Sequence, residues 1–142
     1  MTHVLYTANL ASVVPPLVER HPGVRFSPIE GDEFKPEYRS ADILWRSWVV
    51  PSLFDRLMGE CDDLKWLHVT SAGFDWAGGP NLAKRLAGGM LSTRSWTAYP
   101  TAIAEYVIAA IHLHARRFLD FREAQARHEW SSGLARDVAG ST

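Results

Sequence analysis

Two arginines and one short turn are the features of this sequence best suited to bind a ligand. Arg46 and Arg94 each follow a short apolar stretch, and a turn of small residues follows another: Thr70, Ser71, Ala72 and Gly73. A guanidinium group binds a carboxylate through two parallel hydrogen bonds. Small side chains let the N–H groups of a turn approach a ligand, and glycine accepts the positive φ that a sharp exit from a strand often needs. We therefore predict a site for a small carboxylate.

Each of these features also has a purely structural interpretation. Arg46 and Arg94 would then be solvated ends of strands, or would pair with Asp42, Asp75 or Glu105. Surface arginines are common, so both interpretations stay open for each arginine taken singly. The same holds for three tryptophans near the predicted strand ends, which either rim an apolar pocket or pack beneath loops: Trp48, Trp76 and Trp96.

The segments that would position these residues alternate between strand and helix. Their apolar patterns predict five strands, at Val4–Thr7, Val24–Ile29, Ala41–Trp45, Lys65–Val69 and Met90–Thr93. Helical segments are predicted at Ser12–Arg20, with Ser12 as N-cap, at Pro51–Met58 and at Leu82–Leu86, and Gly31–Ser40 is a polar connection. Connections of this kind favour right-handed crossovers. We predict an α/β fold with a flavodoxin-like five-stranded parallel sheet and flanking helices.

The carboxyl ends of the strands in such a sheet share one edge, where open α/β sheets bind their ligands. Asn9, Arg46, the turn at Ser71 to Gly73 and Arg94 should therefore gather there.

The last third of the chain predicts one long helix. Thr101 to Trp130 contains no Gly or Pro, and Gly133 would end the helix. At about 1.5 Å per residue it would measure about 45 Å. Its first half, Ala102 to Ala115, is apolar almost all round and should be buried. We expect this linker or dimerisation helix to pack on a second subunit or a second domain. The predicted domains are 1–100, 101–131 for the helix, and 132–142 as a connection onward.

Composition narrows the class of protein. The 142 residues suffice for one domain, and 46% hydrophobic with 22% charged residues is ordinary for a globular chain. Fifteen basic and 16 acidic residues give a net charge of -1, so no field favours nucleic acid or a membrane surface. The single cysteine, Cys61, and the lack of a signal peptide predict a cytoplasmic protein.

Several kinds of site are excluded by the sequence. No G-x-G-x-x-G follows a strand, so no dinucleotide loop is present, and no Ser-His-Asp or Cys-His arrangement is recognisable. His112 and His114 are two apart on a helix and face different ways, so no metal site is predicted, and we interpret His68 as a structural histidine. No catalytic residue is therefore assigned in this chain.

Four sequence motifs together resemble the N-terminal half of the D-isomer-specific 2-hydroxyacid dehydrogenases. They are Leu64 to Asp75 (LKWLHVTSAGFD), Gly89 to Thr93 (GMLST), Ala102 to Ala109 (AIAEYVIA), and Ala115-Arg-Arg117 with a late Trp130. Their order and spacing match over almost the whole chain. Residues Asp137 to Thr142 also resemble the segment that precedes the nucleotide-binding domain of that family.

The resemblance implies a function for the turn and for the long helix. The N–H groups of Thr70 to Gly73 would bind the substrate carboxylate, with Gly73 and Ile103 close to the nicotinamide of NAD or NADP. The helix would lie at a homodimer interface and link two domains. The complete enzyme would transfer hydride between NAD(P) and a small 2-hydroxy or 2-keto acid.

The family's dinucleotide loop and its catalytic Arg, Glu and His belong to a half that has no counterpart in this sequence. We therefore expect a truncated or separately expressed domain that is inactive alone, binds no cofactor tightly and needs a separate nucleotide-binding domain. Whether the chain counts as an enzyme is left open. The alternative is a stand-alone module that binds a small anion or forms dimers without catalysis.

Overall fold

The structure of the chain is a computed structural model that describes residues 1–73, 76 and 79–140. It separates into two compact units, Met1–Thr97 and Ala98–Thr142, which are described in turn. Phe74 and Asp75, which contribute to the family resemblance, and Ser141 and Thr142 at its end lie outside the described residues.

The first unit is built on a five-stranded sheet in which every neighbouring pair is parallel. The strands are β1 (Thr2–Thr7), β2 (Val24–Ile29), β3 (Ile43–Arg46), β4 (Trp66–Val69) and β5 (Leu91–Arg94), in the order β2-β1-β3-β4-β5. This is the flavodoxin-like topology, so the predicted fold class is confirmed. All five strands occur within two residues of their predicted bounds.

Three helices connect the strands, α1 (Pro15–Arg20), α2 (Pro51–Glu60) and α3 (Pro80–Ala87), and each begins at a proline. Proline suits the first helical turn because its missing N–H would have no partner there. Leucines of the central strands pack with those of α2 into one core, in which the largest fully buried members include Leu5, Leu44, Leu53, Leu57 and Leu67.

The first helix corrects one prediction. It starts at Pro15 rather than Ser12, and Val14 precedes it with no side-chain cap. A short 3-10 helix at Ala8–Leu10 and a turn take up the intervening residues, because Pro15 and Pro16 fix the backbone of the first helical turn themselves. Ser12 therefore caps nothing.

The connection from Gly31 to Ser40 is more ordered than its polar composition suggested. It contains a second 3-10 helix at Pro36–Ser40, whose Tyr38 is 2% exposed and joins the core. The Tyr38 hydroxyl accepts a hydrogen bond from the Glu30 N–H at 3.1 Å. One aromatic side chain thus fastens the connection to the sheet.

The second unit corrects the prediction of one continuous helix. It contains α4 (Pro100–Ala115) and α5 (Phe118–Ala126), separated at Arg117, which adopts the left-handed conformation with φ 54 and ψ 36. The end of α4 is closed by the later chain, because Arg136 N–H donates to the Ala115 carbonyl at 2.8 Å and Arg116 pairs with Asp137 at 2.9 Å. The last helix also ends at Ala126, well before Gly133.

The expected burial of α4 does not occur within this chain. Every residue from Pro100 to His114 is exposed, including large apolar side chains such as Tyr106 at 76% and Ile108 at 57%. None of the helices in the described residues is long and apolar enough to cross a membrane.

Candidate functional site

The sheet register aligns the predicted site residues on three adjacent strands. Arg46 on β3 is the partner of Val69 on β4, and Val69 is the partner of Arg94 on β5. Neighbouring strands lie about 4.8 Å apart, so the two arginine backbones are about 10 Å apart, on either side of β4. The turn that follows Val69 therefore emerges between the two arginines.

The turn is held in place by the strands beside it. Thr70 N–H donates to the Arg46 carbonyl at 3.0 Å, and Ser95 N–H donates to the Val69 carbonyl at 3.0 Å. Sheet hydrogen bonding thus continues to the first residue of the turn on one side and beyond β5 on the other.

Side chains take up the carbonyl oxygens of the turn. Arg94 Nη1 donates to the Ala72 carbonyl at 2.9 Å, and Trp76 Nε1 donates to the Gly73 carbonyl at 2.9 Å. The Ser71 hydroxyl also donates to the Gly73 carbonyl, at 3.0 Å. In contrast, the N–H groups of Ser71, Ala72 and Gly73 donate to no other residue in the described part of the chain. The turn therefore offers donors without competing acceptors.

Arg46 is buried rather than solvated. It is 5% exposed, its guanidinium lies 3.2 Å from the centre of the Trp76 ring, and Phe54 lies 5.6 Å away. Nη1 donates to the Ser47 carbonyl at 3.2 Å, and Nε has no partner among the described residues. Burial lowers the pKa of Arg46 to about 10, which still leaves it charged at neutral pH. The interpretation of Arg46 as a solvated strand end is therefore wrong.

No carboxylate in the described residues forms an ion pair with Arg46. Asp42, one candidate partner, pairs with Lys65 at 2.8 Å. Arg94 differs from Arg46 because it is exposed and donates a hydrogen bond from one guanidinium nitrogen to the Ala72 carbonyl. The two arginines therefore have different surroundings: one lies beneath a ring and the other holds the turn.

The remaining predicted residues are not all together. Asn9 lies near the same edge, where its amide donates to the Ser47 hydroxyl at 2.7 Å. Ile103 lies on α4 in the second unit and is 59% exposed. Of the three tryptophans, Trp48 and Trp96 are exposed, whereas Trp76 packs edge-on against Phe54 at 5.1 Å.

The contacts of Trp76 were not foreseen from the sequence. Trp76 was one of three aromatic residues at strand ends, and nothing distinguished it from the other two. The signal that could have marked Trp76 is its position five residues after Ser71, within the same connection as the turn.

His68 is structural, as predicted. Its ring nitrogens lie 2.8 Å from the Thr93 hydroxyl and 3.2 Å from the Ser95 hydroxyl, and burial lowers its pKa below the usual value. Cys61 is also inert, because its buried thiol donates to the Tyr38 carbonyl and burial raises its pKa to about 12. The Cys61 thiol therefore lacks the exposure that a nucleophile needs, and both ring nitrogens of His68 are engaged by hydroxyl groups.

The residues present do not fit a resident metal or dinucleotide. In the described ranges no group of three metal-binding side chains occurs. No G-x-G-x-x-G sequence follows any of the strands, and that is the arrangement that holds a pyrophosphate. The groups that the site presents are hydrogen-bond donors and positive charge.

The fold defines a flavodoxin-like α/β domain whose predicted site residues lie at the carboxyl ends of its strands. No family model matches the chain, and no curated protein matches it either. Solved structures do match, and they are D-isomer-specific 2-hydroxyacid dehydrogenases, as the sequence resemblance predicted.

Three of these structures illustrate the likeness. The D-lactate dehydrogenase of Aquifex aeolicus, complexed with NAD and lactic acid, is 23% identical with a TM-score of 0.72 over 94% of this chain and 41% of its own. A D-lactate dehydrogenase of Treponema pallidum is 22% identical, with a TM-score of 0.63 over 97% and 44%. The enzyme of Xanthobacter autotrophicus Py2, in complex with NADPH and MES, is 21% identical, with a TM-score of 0.64 over 95% and 42%.

These identities establish a shared fold. The chain spans less than half the length of each of the three structures.

Proposed function

We propose that this chain is the substrate-side part of an NAD(P)-dependent D-2-hydroxyacid dehydrogenase. In that enzyme, hydride would pass between the nicotinamide and a small 2-hydroxy or 2-keto acid. The role of this chain would be to bind the carboxylate of that acid and to form one wall of the active site. Catalytic acid–base chemistry would come from a nucleotide-binding domain that this sequence does not contain.

One observation carries the proposal. The Ala72 and Gly73 carbonyl groups accept from Arg94, Trp76 and Ser71, while the N–H groups of Ser71, Ala72 and Gly73 have no partner in the described residues. Backbone N–H groups without local acceptors form a site for an anion. A carboxylate, with two oxygens in one plane, matches two or three such donors.

The two arginines add positive charge on either side of these donors. Arg46 and Arg94 both raise the local potential, and Arg46 does so from a buried position in which its field is weakly screened. Thr70 anchors the start of the turn through its bond to β3. We assign Thr70, Ser71, Ala72, Gly73, Arg46 and Arg94 to substrate binding.

The assignment of Gly73 and Ile103 to the cofactor side rests on the sequence resemblance. Gly73 carries no side chain, so a nicotinamide ring could lie against its backbone. Ile103 would offer an apolar side chain at the start of α4, where it is exposed. Structures of similar fold carry NAD or NADPH, which supports a nicotinamide cofactor for the complete enzyme.

Exposed apolar residues along α4 support a second candidate, a dimerisation module without catalysis. Large side chains on this helix lie open to solvent in the single chain, including Ile103, Tyr106, Val107, Ile108 and Ile111. Apolar patches of this kind mark interfaces. The two candidates are compatible, since a homodimer through this helix would serve either one.

Complementation tests the catalytic proposal. The purified chain is assayed for NADH- and NADPH-dependent reduction of glyoxylate, hydroxypyruvate and pyruvate, alone and with a separately made nucleotide-binding domain of a D-2-hydroxyacid dehydrogenase. We expect activity only in the mixture, with each component alone as its control. Silence in the mixture, from a chain that is folded and dimeric, would favour the dimerisation module.

A further inference from the structure

Trp76 contacts both parts of the proposed anion site at once. The face of its ring lies 3.2 Å from the Arg46 guanidinium carbon. At the edge of the same ring, Nε1 donates to the Gly73 carbonyl at 2.9 Å and to the Ser71 hydroxyl at 3.2 Å. One side chain therefore connects the buried cation to the turn.

The ring fixes the orientation of the Arg46 guanidinium. At 3.2 Å the guanidinium lies against the Trp76 ring, with Phe54 at 5.6 Å as a second aromatic neighbour. Contact with a ring face leaves the N–H groups at the edge of the guanidinium plane available to acceptors. Arg46 Nη1 already reaches the Ser47 carbonyl, whereas Nε is buried without a described partner. The ring thus covers a cation that is largely buried and has no ion-pair partner among the described residues.

The indole N–H of Trp76 holds the turn through hydrogen bonds. It occupies the Gly73 carbonyl, which would otherwise present a negative oxygen beside an incoming carboxylate. The Ser71 hydroxyl donates to the same carbonyl, so two donors converge on one acceptor. Both donors therefore engage a carbonyl oxygen that would otherwise repel a carboxylate.

We propose that Trp76 is a positioning residue that couples Arg46 to the turn, so that the cation and the N–H groups of Ser71 to Gly73 bind one small planar carboxylate as a unit. This inference rests on the proposed function, because it assumes that the turn binds a carboxylate. It adds a residue that need not touch the ligand and acts through its two neighbours.

Three variants separate the two contacts of Trp76. Trp76→Phe keeps an aromatic ring over Arg46 but removes the N–H donor, and Trp76→Leu removes both. Trp130→Phe is the matched control, since Trp130 is 94% exposed. In ¹⁵N spectra without ligand, Trp76→Phe should shift the amides of Ser71 to Gly73, whereas Trp76→Leu should also shift the Arg46 Nε–H signal. Trp130→Phe should shift neither.

Binding is then measured by titrating each variant with oxamate, a 2-oxo carboxylate that cannot be reduced at its carbonyl as a keto acid can. Loss of the indole N–H donor predicts oxamate binding about fivefold weaker in Trp76→Phe. Trp76→Leu should weaken oxamate binding by a further factor of about five, because the Arg46 guanidinium loses the aromatic ring beside it. Unfolding midpoints recorded in parallel show that the loss exceeds any change in the folded fraction.

The outcomes distinguish this inference from the proposed function. If the wild type binds oxamate and Trp76→Phe binds it equally well, the positioning role is overturned while the anion site stands. If oxamate shifts no amide signal of the turn in the wild type, the proposed anion site is wrong and the positioning role is wrong with it. Should Trp76→Phe not fold, Ser71→Ala removes one of the two indole acceptors, and unchanged oxamate affinity in that variant would equally overturn the positioning role.

Discussion

Arg46 is the residue at which ligand binding and stability are expected to conflict. It is 5% exposed, and no described carboxylate offsets the cost of burying its charge. A buried charge without an ion-pair partner often contributes little to stability, and an apolar residue of similar volume can replace it without loss. The conflict would explain why an arginine is present at a position where a methionine would fold as well.

Arg46→Met tests this directly. We expect the free energy of unfolding to change by less than about 1 kcal/mol, because Met packs against the same rings and needs no partner. Oxamate binding should nevertheless fall at least tenfold, since the positive charge is lost. Urea unfolding and an oxamate titration check the two halves, with the exposed Arg56→Met as control. A loss of stability above about 2 kcal/mol would mean that Arg46 has a structural role instead.

Two histidines predict how stability depends on pH. Burial is the largest cause that lowers the pKa of His3, which is 3% exposed, and burial also lowers the pKa of His68. Each group then binds its proton more readily in the unfolded state. As pH falls below the usual histidine value of about 6.5, the unfolded chain gains protons first. Stability should therefore be greatest above that pH and should decrease as the pH falls toward the lowered values.

Thermal unfolding between pH 7.5 and pH 5 measures this slope. In His3→Gln the decrease should be smaller, because one of the two contributing groups is gone. His21→Gln, at an exposed position, is the matched control and should follow the wild type. Equal slopes for all three proteins would show that His3 does not contribute.

At the scale of elements, Arg85 on α3 closes the end of α2. Its Nε donates to the Met58 carbonyl at 2.7 Å, and its two terminal nitrogens reach the carbonyls of Cys61 at 2.7 Å and Asp62 at 3.2 Å. The last carbonyls of a helix have no partner within the helix, so one guanidinium satisfies groups that would otherwise need water. This contact joins the helices on either side of β4 in sequence.

Arg85→Met should therefore lower the free energy of unfolding by about 2 to 3 kcal/mol, because charged hydrogen bonds are lost and carbonyls are left without a donor. Urea unfolding gives the value. The neighbouring Lys84→Met, at an exposed position, should change stability by less than about 0.5 kcal/mol. Similar values for the two variants would contradict a capping role for Arg85.

The break between α4 and α5 predicts one order of stability for two variants of Arg117, and a continuous helix would predict the reverse order. Arg117 has φ 54, a conformation that glycine adopts without strain and alanine does not. Arg117→Gly should be more stable than Arg117→Ala by about 1 kcal/mol, and both lose the same ion pair to Asp120. In a continuous helix the order would reverse by about 1 kcal/mol. Thermal unfolding of the two variants distinguishes the cases.

The central strands were predictable because each apolar run ends at a polar residue that is the last of the strand or the first after it. Leu44 and Leu67 lie in apolar stretches that predict burial, and both are buried. Arg46 and Thr70 are the residues that follow these two stretches. The break at Arg117 was not predictable, since Thr101 to Trp130 has neither glycine nor proline. It depends on Arg136 and Asp137, about 20 residues later in the chain, which satisfy the end of α4. Long-range contacts of that kind leave no local sequence pattern.

The candidate site was predictable to the same degree. Arg46, Arg94 and the turn could be placed together because the carboxyl ends of parallel strands lie at one edge of the sheet. The burial of Arg46 and its contact with Trp76 could not be predicted, because the two residues are 30 positions apart and no local pattern brings them together.

At the scale of the whole molecule, the exposed face of α4 predicts a dimer. Ile108 and Ile111 are 57% and 47% exposed in the single chain, so lysine at both positions would cost a monomer little. We expect the wild type to sediment as a dimer and Ile108→Lys with Ile111→Lys as a monomer. Leu134→Lys, at 90% exposure outside the helix, is the matched control. A wild type that stays monomeric at high concentration would contradict an interface through α4.

A crystal structure of the chain with oxamate would show whether the turn after β4 binds a carboxylate. We predict oxamate at the carboxyl end of the sheet, with carboxylate oxygens about 3 Å from at least two of the amide nitrogens of Ser71, Ala72 and Gly73. Arg46 should lie alongside, still stacked on Trp76. Carboxylate binding at this turn would be contradicted if oxamate bound elsewhere, or if the amides of the turn had no ligand at saturating oxamate.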